Sequence, residues 1–203
     1  LPAVGIVKFR MLPKADREQF YVYLDYPNGT SVEENNRITS QVEDFLLKET
    51  EVLSVQSFIA TPPVIDFNGL FKGSSGRNTS NVATLKVNLS HHDNRDVKSE
   101  RLVQELRPRL YALLEIEPGT KIKLVEDPPG PPVQSTLLIK VKGDDYEKLK
   151  EISGDIERMF YEADEVVDVD TSRTDNQAKV ILKLDNDKVM RAGINTETAA
   201  YVL

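Results

Sequence analysis

The 203-residue sequence contains no cysteine and no tryptophan, and only two histidines. Without cysteine there are no disulfides, thiolate metal sites or cysteine nucleophiles, and composition does not mark the redox compartment. No run of about 18 apolar residues occurs, so no segment of the sequence reads as a membrane-spanning helix. Positive charge is in the minority. Lys and Arg number 26 against 33 Asp and Glu, a formal net charge of −7. That balance argues against nucleic acid, whose phosphates require Lys and Arg to neutralise them. Leu1-Pro2-Ala3-Val4 has neither an initiator methionine nor the basic and apolar regions of a signal peptide. Thr198–Leu203 reads as an unfinished helix, so the expectation is a piece of a larger protein.

What is present is ordinary globular material, 39% hydrophobic and 29% charged, enough for one large domain or two small ones. Asp127-Pro128-Pro129-Gly130-Pro131-Pro132 separates two segments with the same order of elements. A proline run favours extended backbone and cannot sit inside a sheet, which makes it a linker.

In the first segment, Gln19 to Tyr26 alternates and is rich in aromatic and β-branched residues, as a strand requires. Pro27-Asn28-Gly29 turns the chain, and Thr30 with Glu33 fits a capping box. Ile38, Val42, Phe45 and Leu46 give the following helix one apolar face. Strands are predicted from Leu53 to Ile59 and from Val82 to Leu89, and another around Ile122 and Leu124. Before the last of these, Leu102, Leu106, Leu110, Leu113 and Leu114 mark a second helix, which Pro108 should kink or divide. The order is β-α-β-β-α-β, the ferredoxin-like plan.

The second segment repeats that order. Leu137, Ile139 and Val141 make a strand, and Asp144 or Asp145 caps a helix with Leu149, Ile152, Ile156, Met159 and Phe160 as its apolar stripe. Val167 and Val169 alternate with Asp168 and Asp170, and Val180, Leu182 and Leu184 continue the pattern. A short helix ends at Gly193, and Asn195 starts another. The sixth strand is lacking. The fold class is therefore α+β, two ferredoxin-like modules, the second truncated before its last strand.

Sites for chemistry are few. His91 and His92 are adjacent on a loop beside Asp93 and Asp96; with no third His or Cys, the reading is a solvated turn and no metal site. Gly69 to Arg77 is Gly-rich but lacks a Gly-Lys-Ser/Thr ending and precedes a strand, so it is no phosphate loop. On that loop Phe67, Leu70 and Phe71 either plug the core or face a partner or ligand. Paired carboxylates such as Asp164-Glu165 sit at turns and helix starts, where acidic side chains are favoured anyway. No Gly-x-Ser-x-Gly elbow accompanies the histidines, so nothing favours an enzyme and no cofactor is expected.

Several stretches resemble a known family. They are Phe9-Arg10-Met11-Leu12-Pro13-Lys14-Ala15-Asp16, Tyr26-Pro27-Asn28-Gly29-Thr30, Glu51-Val52-Leu53-Ser54-Val55 and Val125-Glu126-Asp127-Pro128-Pro129. The last is Leu182-Lys183-Leu184-Asp185-Asn186-Asp187-Lys188-Val189-Met190-Arg191-Ala192-Gly193-Ile194-Asn195. In this order they resemble the second extracytoplasmic loop of the resistance–nodulation–division (RND) efflux transporters, the AcrB/AcrD/AcrF-like family.

The resemblance implies a periplasmic portion of a bacterial inner-membrane protein. Residues 1–14 would follow a transmembrane helix, 15–127 form the first C-terminal porter module, 128–133 a linker and 134–203 part of the second module. It implies a homotrimer working with a periplasmic adaptor and an outer-membrane channel, and proton transfer outside this chain. It also implies hydrophobic or amphipathic organic substrates. Phe67, Leu70 and Phe71 would lie on the pocket-dividing loop, Phe58 on the strand entering it, and Tyr21 and Tyr23 on the strand facing the cleft. Metal-exporting members place methionines in that cleft, where this chain has the two tyrosines. The competing class is a free-standing tandem ferredoxin-like module that binds a small regulator or another protein; an enzyme is a distant third.

Overall fold

The computed structural model describes residues 16–64, 74–114, 117–126, 135, 137–164, 166–173, 181, 183–195, 197–198 and 201. Four strands, β1 (Gln19–Asp25), β2 (Val52–Ile59), β3 (Val82–Leu89) and β4 (Lys121–Glu126), form one antiparallel sheet in the order β2-β3-β1-β4. Helix α1 (Val32–Leu46) joins β1 to β2, and α2 (Ser99–Leu114) joins β3 to β4. The first segment thus has the β-α-β-β-α-β order read from its sequence.

Period-two alternation decides the two faces of the sheet. Phe20, Val22, Leu24, Ala83, Leu85, Val87, Ile122 and Leu124 point inward and join Ile38, Val42 and Leu46 of α1 and Leu102, Leu106, Leu110 and Leu114 of α2 in one core. Burying a Leu or Phe side chain stabilises by about 1.5–3 kcal/mol, so this single layer of contacts holds the segment together. A bulge between Val52 and Ser54 leaves Leu53 outside the core, 67% exposed.

Two local details differ from the sequence reading. The cap of α1 falls one residue later: Ser31 accepts from the Glu34 amide at 3.2 Å, while Thr30 Oγ1 donates to the Pro27 carbonyl at 2.7 Å. Thr30 is drawn into the turn, where Gly29 takes φ 92°, a left-handed conformation that glycine adopts without steric cost. Helix α2 runs unbroken past Pro108. Pro108 and Gln104, whose carbonyl loses its usual donor, are both exposed, so water can satisfy the vacant acceptor.

The second segment departs further. Helix α3 (Tyr146–Glu162) forms as read, with Asp145 accepting from the Lys148 amide. None of its residues is buried; Met159, expected in a core, is 69% exposed. Among the described residues there is no strand between 135 and 201; Val180 and Leu182, read as part of the strand pattern, lie outside the described residues. Residues 137–141 belong to no ladder among the described residues, and Leu137, Leu138 and Ile139 are exposed.

Residues 166–171 find a different role. Asp168, at φ 57°, accepts from the Leu124 amide at 3.3 Å and pairs with Arg107, whose Nη2 donates to the Leu124 carbonyl at 3.4 Å. The open edge of β4 is thereby covered at Leu124 by a carboxylate and a guanidinium. The carboxylates expected on the polar side of a strand are the groups that dock. Chain packing defines two compact units, Leu1–Thr171 and Ser172–Leu203. The second contains helix α4 (Asn186–Arg191), capped by Asp185 and ended at Gly193, φ 73°, as the sequence indicates. Asn195 accepts from the Thr198 amide at 2.7 Å, as a helix start does.

Candidate functional site

The face of the sheet opposite the helices carries the aromatic and charged residues. Register places Phe58, Thr84, Tyr23 and Lys123 in one row across β2, β3, β1 and β4, and Gln56, Lys86, Tyr21 and Val125 in the next. Tyr21 and Tyr23 stack with ring centroids 6.2 Å apart and planes at 18°. The structure therefore gathers Tyr21, Tyr23 and Phe58 on one face, with the β3 strand between Phe58 and Tyr23. The tyrosines are 4% and 8% exposed, and Phe58 is half-buried. Phe67, Leu70 and Phe71 lie outside the described residues.

Cations take up the ring faces. The Arg77 guanidinium carbon sits 4.9 Å from the Tyr23 centroid, and the Lys86 ammonium 6.0 Å from that of Tyr21. Each such contact contributes about 0.5–2 kcal/mol, more as it is desolvated. Arg77 comes from the β2–β3 connection, just after a 3-10 turn at Ser74–Gly76. Its fork donates to Asp25 Oδ1 at 2.6 Å, Thr84 Oγ1 at 3.0 Å, and the Leu24 and Ala83 carbonyls at 2.8 and 2.9 Å. One planar side chain thus pins the end of that connection across β1 and β3.

Asp25 is the acidic centre of the face. Lys123 Nζ lies 2.7 Å from Asp25 Oδ2 and 2.7 Å from Asp170 Oδ2. Burial is the largest influence on Asp25 and pushes its carboxyl up, but Arg77 and Lys123 together outweigh it and hold the pKa below the usual value. Burial likewise opposes the Lys123 charge, and Asp25 and Asp170 outweigh it, so its pKa is raised. A carboxylate held ionised by two cations is poorly suited to general acid catalysis. This chemistry is that of an aromatic wall stiffened by paired charges.

Sequence reasoning missed Arg77, Asp25, Lys123 and Asp170. Alternation around Ile122 and Leu124 does put Lys123 on the outer face, but no pattern names its partners, and Asp25 and Arg77 are 52 positions apart. It also missed a gathering at the sheet's end, where Glu18, His91 and His92 bring three ligand-bearing side chains together at the surface. No helix among the described residues is long and apolar enough to cross a membrane. One hollow, of about 180 Å3, opens at the start of α3 beside Lys142, Asp145 and Ile152. Drug-sized ligand pockets are usually about 300–1,000 Å3.

The sequence model of the AcrB/AcrD/AcrF family matches residues 4–203, and the chain belongs to that family of RND efflux transporters. Multidrug resistance protein MdtC of Escherichia coli O17:K52:H18 (strain UMN026 / ExPEC) is 27% identical over 135 residues, 64% of this chain and 13% of MdtC. Two crystal forms of a heavy metal efflux pump share the fold, each with a TM-score of 0.66 and 17% identity. They cover 94% of this chain and 19% and 20% of the pump. The chain spans about a fifth or less of the length of these relatives.

Proposed function

We propose that this chain is the porter part of the second periplasmic loop of a proton-driven, multidrug-type RND pump. Residues 15–127 are its first C-terminal porter module, 134–203 part of the second, 128–133 the linker and 1–14 the segment after a transmembrane helix. The observation that carries this reading is the family match from residue 4 to residue 203, which spans both segments and the proline run between them. In the whole protein the piece works on the periplasmic side of a bacterial inner membrane, in a homotrimer with an adaptor and an outer-membrane channel. Proton coupling belongs to parts outside this chain.

Hydrophobic or amphipathic organic compounds are the proposed substrates. Two features support them over metal ions. The outer face of the sheet carries Tyr21, Tyr23 and Phe58 and no methionine, and the relative MdtC is named for multidrug resistance. Aromatic walls tolerate varied apolar ligands because burial is non-directional, worth roughly 25 cal/mol per Å2. Phe67, Leu70 and Phe71 of the β2–β3 connection are the proposed pocket residues.

The test uses the full-length transporter in a pump-deficient host. Phe67→Ala with Phe71→Ala should reduce efflux of an apolar cationic dye several-fold and leave copper and silver tolerance unchanged. Loss of metal tolerance with unchanged dye efflux would overturn the organic-substrate reading.

A further inference from the structure

We propose that Glu18, His91 and His92 form a surface site for a divalent cation of the Zn2+ type. The residues come from two places: Glu18 precedes β1, and the histidines follow β3, His92 opening a 3-10 turn at His92–Asn94. Backbone pairing joins the two, because the Leu89 amide donates to the Glu18 carbonyl at 2.7 Å. Adjacent histidines on an isolated loop lack a third ligand; the sheet supplies it.

The distances suit an ion. Glu18 Oε1 lies 3.2 Å from His91 Nε2 and 3.6 Å from His92 Nδ1. A tetrahedral centre with metal–ligand bonds of about 2.0–2.1 Å sets its ligands about 3.3–3.4 Å apart. One ligand atom from each of the three side chains falls within 4.8 Å of the others. The rings lie one over the other, centroids 4.1 Å apart and tilted by 34°.

The opposite nitrogens are also provided for. His91 Nδ1 lies 3.4 Å from Asp93 Oδ2, and His92 Nε2 lies 3.3 Å from Asp93 Oδ1. Each imidazole therefore spans from Glu18 to Asp93. With an ion on the Glu18 side, Asp93 can accept from the far ring nitrogens, the carboxylate–histidine arrangement that fixes tautomer and ring orientation. The Asp93 amide now donates weakly to His91 Nδ1 at 3.3 Å, a contact that metal binding would exchange for one to the Asp93 carboxylate.

The frame is held from below. Arg95, its side chain fully buried, donates to Asp16 Oδ1 at 2.9 Å and to the Arg17 carbonyl at 3.1 Å. Asp16 also accepts from the Ser99 amide at 2.9 Å. The turn carrying the histidines and the approach to β1 are tied together next to the ligands, so binding does not have to assemble them. Imidazole with one carboxylate suits Zn2+, Cu2+ and Ni2+ and not Mg2+ or Ca2+, and a fourth position is left to water.

The test is calorimetric titration of the full 203-residue chain with Zn2+ near neutral pH, with Co2+ as a spectroscopic probe. One equivalent should bind, and Co2+ should give the intense visible bands of four-coordination. Glu18→Gln, His91→Ala and His92→Ala should each weaken binding at least about 10-fold, and Asp93→Asn about 10-fold. Zn2+ should raise the Tm of the unaltered chain and not that of the double histidine variant. Absence of saturable binding, a weak octahedral Co2+ spectrum, or affinity indifferent to Glu18→Gln would each overturn the proposal. The Co2+ spectrum needs no substitution, so it decides even where a variant folds poorly. None of these outcomes bears on the efflux reading, which concerns a different face.

Discussion

Arg77 Nη1 and Asp25 Oδ1 meet at 2.6 Å on the outer face of the sheet, joining the end of the β2–β3 connection to the last residue of β1. The pair is mostly withdrawn from water, with side chains 15% and 25% exposed, and Lys123 completes it from β4.

Removing the fork leaves Asp25 with Lys123 alone and takes a donor from two carbonyls at once. Arg77→Ala should lower the unfolding free energy by about 2–3 kcal/mol, less than for a fully buried pair because Lys123 and water remain. Arg77→Lys should recover less than half of this, since a point charge cannot reach four acceptors in a plane. Denaturant midpoints at constant m-value measure both. A loss below about 0.5 kcal/mol would reduce the fork to an ordinary surface contact.

The same carboxyl makes stability depend on acid. Asp25 has a folded pKa below its unfolded value, so its contribution is complete above the unfolded pKa, about 3.9, and is lost as pH falls through the folded one. Asp16, where burial is likewise outweighed by its hydrogen bonds and Arg95, acts in the same direction and window. Asp25→Asn should flatten the fall in stability below about pH 4 while leaving the Asp16 part of the slope. An unchanged acid profile in Asp25→Asn would contradict the pairing.

At the other end of the pH scale Tyr26 is one sensitive group, and Lys123, whose pKa is also raised, acts in the same direction. The Tyr26 hydroxyl lies 2.8 Å from Thr39 Oγ1, which donates to Asn35 Oδ1 at 3.0 Å; Asn35 in turn donates to the Ser80 and Val82 carbonyls at 2.7 and 2.9 Å. Burial, with Glu117 adding to it, pushes the Tyr26 phenol up to about 12. A raised folded pKa gives stability that is complete below the unfolded value of about 10 and lost as pH climbs through the folded one. Tyr26→Phe should remove the Tyr26 part of that alkaline loss and cost about 1 kcal/mol at neutral pH. Asn35→Ala should cost more, about 2–3 kcal/mol, because Asn35 is fully buried and its loss takes an acceptor from the buried Thr39 hydroxyl as well as breaking both bonds to the Ser80 and Val82 carbonyls. Ultraviolet titration of tyrosinate gives the direct reading.

Two leucines separate core from surface. Leu106 is fully buried between sheet and helix, and Leu106→Ala should cost about 2–5 kcal/mol. Leu53, turned out by the bulge, should change stability by no more than about 0.5 kcal/mol when replaced by Ala. Equal costs would mean that Leu53 is covered in solution. Thermal unfolding of both variants checks this.

Local signals served the first segment well. Alternation in β1, β3 and β4 and the leucine spacing of α2 report burial on one face, and those faces are buried. The Thr30 cap was misplaced by one residue because Ser31 carries the same chemistry and the turn at Gly29 claims Thr30 first. Pro108 misled because helix-breaking depends on whether water can reach the orphaned carbonyl, which is a matter of tertiary exposure. In the second segment the alternation at Val167 to Asp170 was real but its meaning was not local. Asp168 and Asp170 take partners on α2 and β4, and sequence spacing carries no information about those. The Glu18–His91–His92 group was hidden likewise, since only strand pairing brings Glu18 to the histidines.

The strand order also constrains the history of the molecule. β1 is made first yet lies inside the sheet, between β3 and β4. Its run of Phe20 to Leu24 has no ladder partner until Val82 and then Lys121 have emerged. During synthesis, and during any passage of an unfolded chain, this is a bare aromatic and β-branched template of the kind that pairs with strangers. The strand order thus leaves β1 incompletely paired until β4 arrives, the interval in which a holdase would protect the chain.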